Sequence, residues 1–458
     1  MKKRIAICLE QMGIGGIETF TLNQLKALEN KGNEVFVIAK KEIYSSKVEE
    51  LGGRFIEFEF PLNNFFDVER AKDFSKILKE NKIEEVHIHQ FPCILSAMPA
   101  CIENDIPYIA YIHLPIAQMI YNDLYNWYMD NFSLYKILLK FYFENANKIV
   151  SITKSAADLN SELFNIDKSK YVIRNNGIDF EEYKSNDTYN NLKKKFLIIS
   201  RLEKEKINSI KNGIDFALEY SKTNNIELQI AGDGSDKEKI KEYCQNKNLN
   251  VKFLGKITNI KEVIKNSDVI LGLDRVILEA LAMKKIAIIL GYENMKGIVS
   301  ITNIEQAIAE NFSGYNLENK KIEEVVKELK DLNDINKLVN ENYDYIKEKL
   351  DINNTVYTID FENDNINFNK DNILSKILSY INEEMEIKAK NEIELKNRND
   401  VIERKNQENH ELEQEKEELE LEKKQIIERN EALKKELEEV YNSKRWRYME
   451  KILGKKRK

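Results

Sequence analysis

The chain has 458 residues, 42% of them hydrophobic and 33% charged, with a formal net charge of −7. That length exceeds one compact domain and sets an expectation of two or three units, each with enough apolar material for a core. The acidic balance argues against a nucleic-acid partner, since a domain that binds phosphate backbones would be basic.

Cys8, Cys93, Cys101 and Cys244 are widely spaced and form neither a metal-ligand pattern nor a disulfide framework. Buried thiols in a reducing cytosol are expected. The leading apolar run Ile5–Leu9 is too short for a secretory leader, and there is no stretch of about 20 apolar residues to span a membrane.

Arg4 to Leu9 reads as a buried strand and Met12 to Gly16 as a glycine loop. A helix then sets Ile17, Thr21, Leu25 and Leu28 on one face and stops at Gly32, before a strand at Val35–Ala39. Short apolar runs follow at Val86–His89, Tyr108–Leu114, Lys148–Thr153 and Tyr171–Ile173, with helical patterns between most of them. After a polar stretch at Lys184–Leu192 the same grammar restarts. Strands at Phe196–Ser200, Ile226–Ala231, Val251–Leu254, Val269–Leu273 and Ile286–Leu290 alternate with helices that open near Asn208, Ser235, Ile260 and Arg275. Such alternation predicts doubly wound parallel sheets with helices on both faces. The expected fold class is α/β: two Rossmann-like domains, 1–183 and 184–335, facing across a cleft at the carboxyl ends of their strands, where such sheets bind ligands.

An Asn- and Asp-rich, irregular or helical connector is expected over 336–382, a charged coiled coil over 383–441, and a basic amphipathic tail over 442–458. Leu412, Leu419, Ile426, Leu433 and Val440 recur every seventh residue, and Leu395, Ile402, Asn409, Lys416, Lys423, Asn430 and Leu437 fill the companion seam. One aliphatic seam and one half-polar seam predict a weak coiled coil, with a solvated single helix as the alternative. A homo-oligomer follows from the first reading, and Asn409 and Asn430 favour a dimer. The tail, from Lys444-Arg445-Trp446-Arg447 to Lys455-Lys456-Arg457-Lys458, mixes cations with aromatic and aliphatic groups. It suits an anionic membrane surface, where each nearby cation contributes about 1 kcal/mol, against the blander readings of solubility or RNA contact. The aromatic-rich stretch Tyr121 to Phe143 is read as helix packing within the first domain rather than as a lipid contact.

Gly15-Gly16 before a helix is either a tight turn or a loop that lets phosphate oxygens approach backbone N–H groups and the positive end of the helix dipole. Ser200-Arg201-Leu202 ends a strand, and Lys206 lies five residues beyond Arg201. Two cations at a strand's carboxyl end suit a diphosphate, Arg as a fork and Lys as a point charge, although surface charge beside Glu203 and Glu205 is the alternative. Ala231-Gly232-Asp233-Gly234 closes the next strand and on its own is an ordinary turn.

Those segments, together with Gly15-Gly16-Ile17-Glu18, Asn176-Gly177-Ile178-Asp179, Phe253-Leu254-Gly255 and Leu278-Glu279-Ala280-Leu281-Ala282, stand in an order that resembles family 4 glycosyltransferases. These are retaining enzymes of the GT-B fold, and the resemblance covers roughly residues 3–330. It implies that Arg201 and Lys206 hold the donor diphosphate and stabilise the leaving group, and that Glu279 binds the donor ribose. It places Gly15 and Gly16 in the loop over the donor phosphates and His113 near the reacting sugar, although position alone favours a satisfied structural histidine at 113, and it makes His87 and His89 structural. The family's first glutamate, which touches the donor sugar, is replaced here by Leu271, and Asp274 or Arg275 are the neighbours able to substitute from a reshaped loop. There is no Asp-x-Asp pair, so neither a metal nor a cofactor is expected beyond the nucleotide-sugar co-substrate.

The implied activity is retaining, metal-independent hexosyl transfer from a nucleotide-sugar to a glycan or lipid-linked acceptor. Its setting would be cell-surface polysaccharide or glycoconjugate synthesis, in the cytoplasm and peripherally at the inner face of the membrane. A non-catalytic scaffold that binds sugar nucleotide or glycan is the main rival, favoured by Leu271. A sugar-nucleotide epimerase of the same fold fits the coil and tail less well.

Overall fold

The computed structural model describes residues 2–60, 68–89, 91–114, 133–184, 193–247, 249–257, 259–358 and 373–442. The basic tail, most of the Tyr121–Phe143 stretch and most of Lys184–Leu192 lie outside the described residues.

The first domain carries β1 (Arg4–Gln11), β2 (Glu34–Lys40), β3 (Arg54–Glu57), β4 (Glu85–Ile88), β5 (Tyr108–Ile112), β6 (Lys148–Ser151) and β7 (Tyr171–Ile173). Between them run α1 (Gly16–Asn30), α2 (Ser45–Glu50), α3 (Val68–Glu80), α4 (Phe91–Glu103), α5 (Ser133–Asn145) and α6 (Lys154–Phe164). The second domain carries β8 (Lys195–Ile199), β9 (Glu227–Ala231), β10 (Val251–Gly255), β11 (Val269–Gly272), β12 (Ile286–Ile289) and β13 (Gly297–Ile298). Its helices are α7 (Ile207–Ser221), α8 (Lys237–Asn246), α9 (Ile260–Lys265), α10 (Arg275–Ala282), α11 (Ile304–Ala309), α12 (Ile322–Asp331) and α13 (Ile335–Leu350). After these come α14 (Ile352–Thr355) and α15 (Ile373–Asn442).

The first sheet has the order β3-β2-β1-β4-β5-β6-β7 and is parallel throughout. The second has the order β10-β9-β8-β11-β12-β13, parallel except for the two-residue β13. Neither β3 nor β13 was evident in the sequence, because one is half-exposed at an edge and the other is two residues long. Successive residues of one strand feed opposite cores. Leu197 and Ile270 pack with Leu278, Leu281 and Phe312, whereas Phe196, Ile198 and Leu271 pack with Ile214, Phe216 and Val325. Helices therefore cover both faces, which is why these strands read as continuous apolar runs.

The Asn-rich region after residue 330 is ordered where it is described. In α13, Ile346 and Leu350 enter the second domain's core. The chain then crosses back: Ile178 N–H donates to Leu350 O at 2.8 Å, and Ile352 N–H donates to Ile178 O at 3.2 Å. Ile352 and Val356 complete the first domain's core beside Ile5, Ile7, Leu25 and Leu28.

By their contacts the residues divide into two units, 1–378 and 379–458. The second consists, among the described residues, of most of α15. At 1.5 Å per residue this 70-residue helix is about 105 Å long. Among the described residues no helix is long and apolar enough to cross a membrane.

Candidate active site in the interdomain cleft

The N-terminus of α1 opens directly after β1. Gly15 caps it in an extended conformation, and a Cβ added at Gly16 would meet nothing within 4 Å. The backbone is open at Gly16, while the Glu18 carboxylate lies over Gly15, and all three residues line a cleft of about 500 Å³. His113 and Leu114, just past β5, line the same cleft from the first domain. From the second domain come Ser200 and Arg201 after β8, Lys206 before α7, and Gly272 to Val276 where β11 turns into α10.

The Ala231–Gly234 turn does not line the cleft but shapes it. Gly232 has φ +141°, and a Cβ there would fall 1.8 Å from Ser200 O. Ser200 N–H donates to Ala231 O at 3.1 Å, and Leu202 N–H donates to Asp233 O at 3.0 Å. Two strand ends are thus pressed together through glycine, and Arg201 projects from the junction.

The two cations differ in environment. Lys206 is buried, and its Nζ donates to Asp274 Oδ2 at 3.0 Å and to Tyr292 Oη at 2.9 Å. The Arg201 side chain is 67% exposed, and its guanidinium has Glu203 at 3.6 Å and Glu205 at 3.3 Å. Lys206 is a fixed charge in the wall, whereas Arg201 is an exposed charge shared between two carboxylates. Asp274 has φ +59° without being glycine, a conformation that costs of order 1–3 kcal/mol and is concentrated at functional sites.

His113 Nε2 lies 2.7 Å from His89 Nδ1. The His89 ring stacks on Tyr111 at 4.2 Å, and Phe20 meets His113 edge-on at 4.9 Å. Burial pushes His113 down to about 3 and His89 well below its usual range, so both rings are neutral at pH 7. His87 is buried behind them against Glu85 and Gln24. His113 can therefore hydrogen-bond a sugar hydroxyl but carries no charge with which to oppose a phosphate.

Gly15, Gly16, His113, Arg201 and Lys206 thus meet at one cleft. Glu279 does not line it. Its Oε1 accepts from Tyr183 Oη and from Arg275 Nε, each at 3.0 Å, and burial pushes its carboxyl up despite the guanidinium. Arg275 stands in front of it in the wall, with Nη1 3.4 Å from Gly177 O. Leu271 points into the core with no exposure, whereas Asp274 and Arg275 both reach the cleft. Sequence reasoning missed Tyr183, Tyr292 and the role of His89 beside His113. Only the His-x-His spacing at 87–89 carried a signal for any of them.

Among the described residues no cluster of His, Cys, Asp and Glu is arranged to hold a metal ion. The four cysteines are buried free thiols.

No curated protein matches the chain by sequence. Solved structures share the fold. A glycosyltransferase from Rickettsia africae ESF-5 superposes with a TM-score of 0.57 at 17% identity, covering 77% of this chain and 96% of that one. Anabaena HepE, in complex with UDP and glucose, gives 0.58 at 13% identity, covering 76% and 96%. A mutant TarM from S. aureus, solved with fondaparinux, alpha-GlcNAc-glycerol and UDP, gives 0.52 at 14% identity, covering 83% and 100%. Residues 14–182 match the profile of Glycosyltransferase Family 4, and residues 179–349 match that of Glycosyl transferases group 1. With the two halves of the GT-B fold each matched in turn, this chain belongs to glycosyltransferase family 4.

Proposed function

We propose that the cleft binds a nucleotide-sugar through its diphosphate and passes the hexosyl group, with retention, to a hydroxyl of a glycan or lipid-linked acceptor. The observation that carries this reading is the convergence of Arg201 and Lys206 on one side of the cleft with the N-terminus of α1, open at Gly16, and neutral His113 on the other. Cations and helix N–H groups placed where a leaving diphosphate gains charge lower the barrier without a metal ion. Acceptor attack from the same face then gives retention. The Anabaena structures with UDP and with UDP-glucose make UDP-sugars the first donors to test. In the same reading the chain works peripherally at the inner membrane face, with 444–458 touching anionic lipid, and self-associates through α15.

The alternative, a non-catalytic sugar-nucleotide scaffold, draws on Leu271 in the core and on Glu279 held behind Arg275. Nucleoside diphosphate release by the full chain from a panel of nucleotide-sugars separates the two. Release above the uncatalysed rate supports transfer, and tight binding without release supports the scaffold.

A further inference from the structure

The second unit offers an interaction surface of its own. In α15, Leu412, Leu419, Ile426, Leu433 and Val440 are each more than half exposed, as are Ile402 and Leu437 on the companion seam. With the first set at d and the second at a, the flanking positions are settled. Glu413, Glu420, Ile427 and Lys434 fall at e, and Glu408, Glu415, Glu422, Arg429 and Glu436 fall at g.

These charges discriminate between orientations. In a parallel, in-register pair each g residue meets the e residue five positions on. That sets Glu408 against Glu413, Glu415 against Glu420 and Arg429 against Lys434, with Glu422 opposite Ile427 and no opposite-charge pair. Each a residue also meets its own copy, so Lys416 faces Lys416 and Lys423 faces Lys423 in consecutive a layers.

An antiparallel pair centred between residues 424 and 425 reverses this balance. Glu413 meets Lys434 and Glu422 meets Arg429, each twice by symmetry, against one repeated like-charge contact of Glu415 with Glu436. In the seam Lys416 lies opposite Leu433, Lys423 opposite Ile426, Asn430 opposite Leu419, Asn409 opposite Val440, and Leu437 opposite Leu412. Each lysine then lays its aliphatic stem on a branched side chain instead of facing another ammonium.

We propose that α15 docks with a second copy of this chain as an antiparallel coiled coil over residues 409–440. The exposed stripe supplies the contact, and its self-complementarity in one direction only identifies the partner as another copy. This deepens the self-association proposed above and is independent of whether the cleft transfers sugar.

The full chain tests it. Light scattering at micromolar concentration should give a dimer mass. Under mild oxidation, Leu412→Cys mixed with Leu437→Cys should form a disulfide-linked dimer that neither variant forms alone, the native thiols being buried. Arg429→Glu should weaken the dimer on the order of tenfold by setting glutamate against Glu422 twice, and adding Glu422→Arg in the same chain should restore it. A monomeric mass would overturn self-association altogether. Self-crosslinking of Leu412→Cys, or a dimer strengthened by Arg429→Glu through Lys434, would leave the dimer standing and overturn its antiparallel direction.

Discussion

His89 Nδ1 and His113 Nε2 share one proton across 2.7 Å, between two rings that burial keeps neutral. The remaining nitrogen of His89, Nε2, is buried with no partner among the described residues. An unmet buried acceptor is tolerated better than an unmet buried N–H. The favoured arrangement therefore protonates His89 at Nδ1, which donates to His113 Nε2 and leaves His113 protonated at Nδ1 as a donor. Nitrogen chemical shifts of labelled histidine should report this pair of tautomers. His89→Phe should free His113 to adopt the other tautomer and lower kcat more than it raises the donor KM.

The same two rings link stability to acid. The folded His113 titrates near 3, below the ordinary value of 6.5, so the unfolded chain takes up a proton that the folded ring refuses. This contribution is complete above about pH 6.5 and is lost as pH falls toward about 3. Urea midpoints measured at pH 7 and pH 5 should differ more for the wild type than for His113→Asn.

Arg201 and Lys206 should separate under mutation. Arg201→Ala removes an exposed side chain and should lower kcat by roughly a hundred- to a thousand-fold with the melting temperature unchanged. Lys206→Ala should match that loss and also destabilise the fold by about 1–3 kcal/mol, because the partly buried Asp274 carboxylate loses its cation. Steady-state kinetics beside calorimetric melting would separate the two effects.

Glu279→Gln should cost about 3–5 kcal/mol of stability, as expected when one partner of a buried ion pair is removed and the Arg275 guanidinium is left behind. If the carboxylate also reaches the donor ribose, KM for the donor rises with little change in kcat. A raised KM without loss of stability would mean that it leaves Arg275 to do so.

Gly232→Ala should destabilise by about 1–3 kcal/mol or more, since the strained φ and the approach to Ser200 O act together. Because that contact sets where Arg201 emerges, nucleotide affinity should fall as well. Binding calorimetry on the folded fraction would show it.

Much of this arrangement was legible in the sequence because parallel strands buried on both faces leave unbroken apolar runs. Phe196–Ser200 and Tyr171–Ile173 fall within a residue of β8 and β7. Cations after a strand were likewise readable, because a strand's carboxyl end is a fixed place in such folds. The direction of Glu279 was not readable. A helical carboxylate four residues after an arginine can face solvent, ligand or that arginine, and only packing around Tyr183 decides. Nor could the positive φ of Asp274 be read, since nothing local marks it as glycine would. The return of Ile352 to the first domain depends on contacts more than 300 residues away in sequence, beyond the reach of any local pattern.

That return has a consequence for how the protein is made. Ile352 and Val356 fill the core that Ile5, Leu25 and Leu28 begin, so the first domain is discontinuous in the chain. During vectorial synthesis its leading strands leave the ribosome early, yet its core stays incomplete until residue 356 has been added, after the whole second domain. A fragment ending at residue 183 would expose that apolar patch, and adding the missing segment in trans as a peptide should cover it. The first domain therefore closes its core only after the second has been synthesised.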